Sequence, residues 1–385
     1  MSRLYRHFDT KLIHAGEPEP RIAGAVIMPI FQTAMYETLG EANYHDIRYI
    51  RLNNTPNHVA LHVKLAALES AEAALVTTSG MAAICTTLLT VLSAGDHLLV
   101  QDCLYGGTHD LLTKDFAAFG LSYDFIDPDD PTSWKRKLRP NTKAIYVETM
   151  SNPLLQVGDL QAVAYFAREN DLVSIIDNTF ASPVNFRPVE WGYDLSLHSA
   201  TKYLNGHSDI VAGVVIGRGE LVTRITHKLN HLGGSLDPHA AFLLHRGLKT
   251  LGVRVRQQNE SALRMARFLA QHAAVASVNY PGLENHPQYA RARELFDGFG
   301  GVLSFEPRGG VEAAERFLKK TRLATVAPSL GGVETLVTRP ATTSHAGMAV
   351  EDRKRLGISD SLIRVSVGIE ASEDLLADFE QALSC

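Results

Sequence analysis

The stretch SATKYLNGHSDIVAG, residues 199–213, carries one lysine, Lys202, directly after a Ser-x-Thr and ahead of a polar turn and an apolar run. Taken alone, such a lysine is a solvated surface cation. Three neighbouring features bear on it. In TTSGM (77–81) a strand pattern passes into a helix pattern. That puts the amides of Gly80 and Met81 at a helix N-terminus, where a phosphate binds well, although small residues at such a junction also make an ordinary turn. IIDNTF places Asp177 just past an apolar run. A carboxylate at the end of a buried strand calls for a partner: an arginine, a helix cap or a protonated ring nitrogen. Ser199 and Thr201 point to one side of an extended strand and Lys202 to the other, but all three line one pocket if the strand has ended by then. Hydroxyls and amides for a phosphate, an amine for an imine and an acid for a pyridine nitrogen are together what pyridoxal 5′-phosphate requires. The acid keeps the ring nitrogen protonated, so that the ring accepts electrons. An amine kept from water beside other cations has a lowered pKa, suited to imine exchange and proton transfer.

The elements that must position these residues alternate. From residue 57, NHVALHVKLAALESAEA has helical spacing behind Asn57, a cap candidate. AALVTTSG reads as strand then turn, MAAICTTLLTVLSAG as a helix, and HLLVQD, KAIYVETMSNP, LVSIIDNTF, LSLHSATK and IVAGVVIG as short strands ending in polar residues. Short apolar strands between helical patterns predict a mostly parallel α/β sheet covered on both faces, with the chemistry beyond the strand ends. Helical pattern over 228–260, including GGSLDPHAAFLLHRGLKTL, forms a connector. The strand GGVLSFE, the helix VEAAERFLKK, the loop APSLGGVETL, the strand SLIRVSVGIE and a last helix capped by Ser372 then make a smaller α/β unit, with Leu375, Leu376, Phe379 and Leu383 on one face of that helix. The first 55 or so residues, with Pro18, Pro20 and Pro29, read as an irregular arm that packs on something else.

At 385 residues the chain is long enough for two domains. Its hydrophobic content of 45%, charged content of 21% and net charge of −5 are those of an ordinary globular protein. The pI of about 6.3 argues against nucleic acid as the main partner. No secretory leader or membrane-length apolar run is visible. Cys85, Cys103 and Cys385 lie far apart without a CxxC, which points to a reducing cytoplasm. A non-catalytic scaffold and a metal enzyme built on the histidines are the rival readings from other classes. His198, His207, His227, His231, His239 and His245 follow no ligand spacing such as HExxH and read as core, helix-face or loop residues.

In order, SGMAA, DCLYGGT, VETMSNPL, DNTF, HSATKYLNGHSD, SLGGVETL and LIRVSVGIE make the chain resemble, from about residue 10 onward, the trans-sulfuration (Cys/Met metabolism) enzymes that use pyridoxal phosphate. These include cystathionine γ-synthase, cystathionine γ-lyase, cystathionine β-lyase and methionine γ-lyase. The resemblance implies the fold type I architecture, like aspartate aminotransferase. A large mostly parallel sheet domain (57–245) would follow an arm (1–56) that contacts a neighbouring subunit, and a C-terminal α/β domain (246–385) would complete the chain. It implies Lys202 as the imine-forming lysine and proton shuttle, Asp177 beside the pyridine nitrogen with Thr179, and Tyr105 stacked on the ring as an acid or base. Gly80, Met81, Ser199 and Thr201 would hold the phosphate, and Tyr49 and Arg51 would reach a neighbour's phosphate. Asn152 would touch the ring hydroxyl oxygen and the substrate. Arg364 would grip the substrate carboxylate with Ser329 nearby; without the resemblance, Arg364 within an apolar strand reads as half of a buried ion pair.

The same resemblance implies a cytoplasmic homo-oligomer, a tetramer built from dimers that share active sites, that acts on a small amino acid and on neither nucleic acid nor membrane. The reaction would be cleavage or replacement at Cγ of cystathionine or of an O-activated homoserine, with methionine γ-lyase or cystathionine β-lyase chemistry as the alternative. Several positions depart from the family pattern: Pro328 where many members have glutamate before Ser-Leu-Gly-Gly, Gly106-Gly107-Thr108 without the cysteine of methionine γ-lyases, Asn54-Thr55-Pro56 for Asn-Pro-Thr, and Arg48 with Asp110 where the lyases have the opposite charges. That exchange would preserve a salt bridge while changing the field of the distal pocket.

Overall fold

The computed structural model describes residues 5–384. Seven strands form the larger sheet: β1 (Ala73–Thr77), β2 (His97–Gln101), β3 (Ser122–Ile126), β4 (Thr142–Glu148), β5 (Val173–Asp177), β6 (Leu195–Ser199) and β7 (Gly213–Gly217). Their order is β1-β7-β6-β5-β4-β2-β3. All neighbours are parallel except β7, which runs antiparallel to both β1 and β6. The apolar runs look continuous because both faces are covered. On β4, Ile145 and Val147 join one core with Leu99 and Ile176, while Ala144 and Tyr146 join the other with Leu98 and Ile175. Parallel strands bring their polar ends to one edge, so Glu148, Asp177 and Ser199 close β4, β5 and β6 side by side.

A second sheet holds β8 (Val275–Asn279), β9 (Val302–Pro307), β10 (Thr325–Val326), β11 (Leu336–Thr338) and β12 (Ile363–Ser366), in the order β10-β11-β12-β9-β8. Its own core includes Phe305, Phe317, Val365 and Phe379. Between the sheets in sequence lie the helices Gly219–Leu232, Pro238–Leu248 and Leu251–Gln271. Arg254, on the last of them, is buried and donates to the carbonyls of Tyr203 and Gly247, both at 2.9 Å, which ties that helix to the segment after Lys202. No helix among the described residues is long and apolar enough to cross a membrane.

Three local expectations change. The arm is not wholly irregular: Phe8–His14 is a helix that buries Leu12. Asn57 does not cap the helix Pro56–Leu68. Pro56 occupies its first turn and puts Thr55 at the cap position, while the Asn57 amide accepts from Phe31 N at 2.8 Å and donates to Pro29 O at 2.9 Å, pinning the arm. Ser372 is the first residue of the last helix rather than its cap, and its hydroxyl bonds to that of Ser261 at 3.1 Å.

Candidate active site

Asp177 ends β5 partly open to the cleft beyond the strand ends. Thr179 meets it twice: its amide donates to Oδ1 at 2.9 Å and its hydroxyl donates to the same oxygen. The Thr179 hydroxyl also accepts from Ser199 N at 2.8 Å, so one side chain locks Asp177 to the end of β6. Tyr146 Oη lies 3.4 Å from Asp177 Oδ2. No lysine or arginine pairs with Asp177 among the described residues, and burial pushes its pKa up against the two Thr179 bonds.

Beside it, Glu148 is buried at the end of β4, in register with Asp177. Burial, and then the charge of Asp177, hold its carboxyl well above the usual range. Asp177 accepts more hydrogen bonds than Glu148, so the negative charge of the pair rests on Asp177. Glu148 Oε1 accepts from Tyr105 N at 2.7 Å and so fixes the residue whose ring stands 43% exposed at the mouth. Nothing in the sequence reading singled out Glu148, although it follows an apolar run just as Asp177 does.

The helix Gly80–Val91 starts against β6. Its cap, Ser79, accepts from Ala82 N at 3.0 Å, leaving the first amides, those of Gly80 and Met81, directed out of the N-terminus. A Cβ on Gly80 would lie 2.9 Å from Ser199 Cβ, so only glycine permits this approach. A Cβ on Gly107 would likewise meet the Tyr105 ring at 2.7 Å and Met81 Sδ at 3.0 Å, which places both side chains at that turn.

Two cations converge on Ser329. Lys202 Nζ donates to its hydroxyl at 2.9 Å, and Arg364 Nη2 donates to its carbonyl at 3.0 Å. Ser329 holds φ at +95°, a conformation costly for a residue with a side chain, while it presents both groups. Arg364 Nη1 donates to Asn152 Oδ1 at 3.0 Å. Arg364 is buried on β12 with no carboxylate partner among the described residues, so the ion-pair reading of this residue fails. Burial lowers its pKa to about 10. Burial, and then the charge of Arg364, lower Lys202 to about 8. One other lysine is shifted so far: Lys64, lowered to about 7 by burial. Its amine is fully enclosed and donates to the carbonyls of Leu12 and Ile13, so it has a structural task and no access.

Thr201 lines one cleft with Ser329, and the other expected residues are held by partners of their own. Thr201 exchanges hydrogen bonds with Ala212, its hydroxyl accepting from the amide at 3.0 Å and donating to the carbonyl at 3.2 Å. Arg51 donates to Asn230 O at 2.9 Å and to the Tyr44 hydroxyl, with its guanidinium over Tyr49; none of these bonds reaches Lys202 or Asp177. Arg48 lies over the Tyr36 ring, and Asp110 pairs with Lys114 at 2.8 Å, so the two do not bridge within one chain.

The residues fit pyridoxal phosphate. An acid without a cationic partner ends β5, glycine-permitted amides face out at a helix start, and an amine of lowered pKa lies next to an arginine with donors to spare. Asp177 would meet the ring nitrogen, Gly80, Met81 and Ser199 the phosphate, and Lys202 the aldehyde carbon.

Comparison with known proteins agrees. A family model for Cys/Met metabolism PLP-dependent enzymes matches residues 9–384. Cystathionine gamma-lyase of Bacillus subtilis (strain 168) is 42% identical over 375 residues, 97% of this chain and 98% of that one. L-methionine gamma-lyase of Fusobacterium nucleatum subsp. nucleatum is 40% identical, with 97% of each chain covered. The solved structure of cystathionine gamma-lyase from Lactobacillus plantarum, complexed with L-serine, superposes with a TM-score of 0.93 at 37% identity, and metB from Corynebacterium glutamicum with 0.94 at 38%; each covers 98% of both chains.

Proposed function

The chain belongs to the family of Cys/Met metabolism PLP-dependent enzymes, and from that premise we propose that it breaks or exchanges the bond at Cγ of cystathionine or of an O-activated homoserine. The observation that carries this reading is the convergence of Lys202 and Arg364 on Ser329, with no carboxylate among the described residues paired to either cation. That is a place for the carboxylate of an α-amino acid, with its Cα beside an amine. The cofactor, when bound, supplies an electron sink that lets a proton leave Cα and a more distant bond then break.

The protein does the rest. Arg364 orients the substrate: Asn152 and Ser329 hold its guanidinium in one plane and leave donors free for a two-point grip on the carboxylate. Lys202 Nζ takes the proton from Cα and returns protons to neighbouring carbons; with its pKa lowered to about 8, a useful fraction is the free amine near neutral pH. Ser329 accepts a hydrogen bond from that amine and limits its swing. Tyr105, its backbone fixed by Glu148, offers a hydroxyl to the departing sulfur or oxygen.

In this reading Tyr49 and Arg51 serve the phosphate of a neighbouring subunit, and the protein works as a cytoplasmic homotetramer built from two dimers, running lyase or transferase chemistry. The exposed apolar side chains of the arm support it: Met35 is 75% and Leu39 85% exposed in the single chain. The three-part division is kept with both boundaries shifted, the first to just before Pro56 and the second to the break between Pro238–Leu248 and Leu251–Gln271, since cuts at 56/57 and 245/246 would each split a helix.

The test is product analysis of the purified holoenzyme with cystathionine, methionine and an activated homoserine ester, with and without cysteine. Cleavage of cystathionine at Cγ gives 2-oxobutanoate and cysteine; cleavage at Cβ gives pyruvate and homocysteine and would favour the alternative. Turnover of none of these would end the proposal.

A further inference from the structure

A buried acid and a buried imidazole lie behind the site and take no part in the chemistry above. Glu69 follows the helix Pro56–Leu68, and His198 precedes Ser199 on β6; both side chains are shut off from solvent. His198 Nε2 donates to Glu69 Oε1 at 2.6 Å, and the same oxygen accepts from Asn178 Nδ2 at 3.3 Å. No lysine or arginine pairs with Glu69 among the described residues. A carboxylate is too costly to bury unpaired, and the short contact with His198 partners it.

This acid is wired to both strands that carry the site. Asn178 directly follows Asp177 and has no freedom left. Its Nδ2 donates to Glu69 and to Phe186 O, at 2.9 Å for the latter, its Oδ1 accepts from the Thr149 hydroxyl at 2.9 Å, and its backbone amide donates to Leu197 O at 2.8 Å. The Thr149 hydroxyl is also 3.0 Å from Asp177 O. On the other side His198 continues into Ser199 and Lys202. Glu69 therefore sets β5 and β6 against each other from behind, as Thr179 does in front.

We propose that Glu69 and His198 are positioning residues for the cofactor. Their hydrogen bond, passed on through Asn178, holds Asp177 at the depth where its carboxylate meets the ring nitrogen. This rests on the reading of Asp177 as the ring-nitrogen partner, and a control on Asp177 separates the two ideas.

Glu69→Gln and His198→Gln keep much of the size while removing the short carboxylate–imidazole pairing. The apoproteins are titrated with pyridoxal 5′-phosphate, and the absorption of each reloaded protein is followed against pH. Both variants should bind the cofactor roughly tenfold more weakly, the effect of one hydrogen bond to a charged group, and the pH midpoint of the bound cofactor's absorption should move in the same direction in both. A merely structural brace would lower the melting temperatures of apo and holo forms alike and leave affinity and midpoint in place; that outcome, in whichever variant folds, overturns the proposal. Asp177→Asn serves as the control. If it leaves affinity unchanged, the parent reading fails; if it weakens binding while both glutamine variants match wild type, only the Glu69–His198 inference fails.

Discussion

Arg364 offers the sharpest perturbation. Its guanidinium makes two hydrogen bonds, to Asn152 Oδ1 and Ser329 O, and pairs with no acid among the described residues, so its remaining donors are left for a substrate. A hydrogen bond to a charged group contributes roughly 1.5–3 kcal/mol. Losing a two-point grip on the substrate carboxylate therefore costs roughly 3–6 kcal/mol, or about 10²- to 10⁴-fold in kcat/KM. Arg364→Met keeps much of the volume. Burial already works against this cation, lowering its pKa to about 10, so removing it relieves a desolvation cost while two carbonyl-type acceptors lose a donor. These effects oppose each other, and the melting temperature should move by no more than a few degrees. The assay pairs steady-state kinetics on the substrate that the product analysis identifies with thermal denaturation of the holoenzyme. A variant with kcat/KM within about threefold of wild type, or one whose loss is matched by a large fall in stability, would refute the reasoning.

Gly80→Ala sets a Cβ 2.9 Å from that of Ser199; prying the helix start from β6 should weaken cofactor uptake by the apoprotein about tenfold or more in a fluorescence titration, and unchanged affinity would show that these amides do not hold the phosphate. Glu148→Gln keeps an acceptor for Tyr105 N and replaces a carboxyl whose pKa is already pushed well up, so kcat/KM should stay near wild type while Glu148→Ala falls about tenfold, the worth of one hydrogen bond; equal losses in the two would place the effect in the charge rather than in the tyrosine. Lys202 binds its proton more weakly folded, at about 8, than unfolded, at 10.5. Its burial therefore costs apoprotein stability in full below pH 8, and that cost fades as pH rises to 10.5. Urea midpoints of apo Lys202→Met should lack the part of the upward slope that wild type shows across this window, and parallel slopes would contradict the shift.

Much of the site was legible because its groups sit where an apolar run stops. Asp177 after SII, Lys202 after β6 and Arg364 inside an apolar strand each break a local pattern; parallel strands of the larger sheet gather the first two at one edge, and Arg364 comes to them from β12 of the second sheet. Glu148 sends the same signal after AIYV and belongs with them. Glu69 and His198 could not be paired from sequence: they are 129 positions apart, and each alone reads as an ordinary polar residue. The direction of β7 was equally hidden. It runs antiparallel because the chain between β6 and β7 holds the Lys202 turn and no crossover helix. The helix Phe8–His14 is too short to show a period and is settled by Leu12 packing into the core and by Lys64 donating to its last carbonyls.

The central claim is that one amine carries the cofactor. Treating the holoenzyme with borohydride, digesting it and mapping the pyridoxyl-labelled peptide tests that claim directly. The label should lie on Lys202 alone, with none on Lys64, the other lysine of strongly lowered pKa. A label on any other lysine, or full retention of the reduced cofactor by Lys202→Ala, would contradict it.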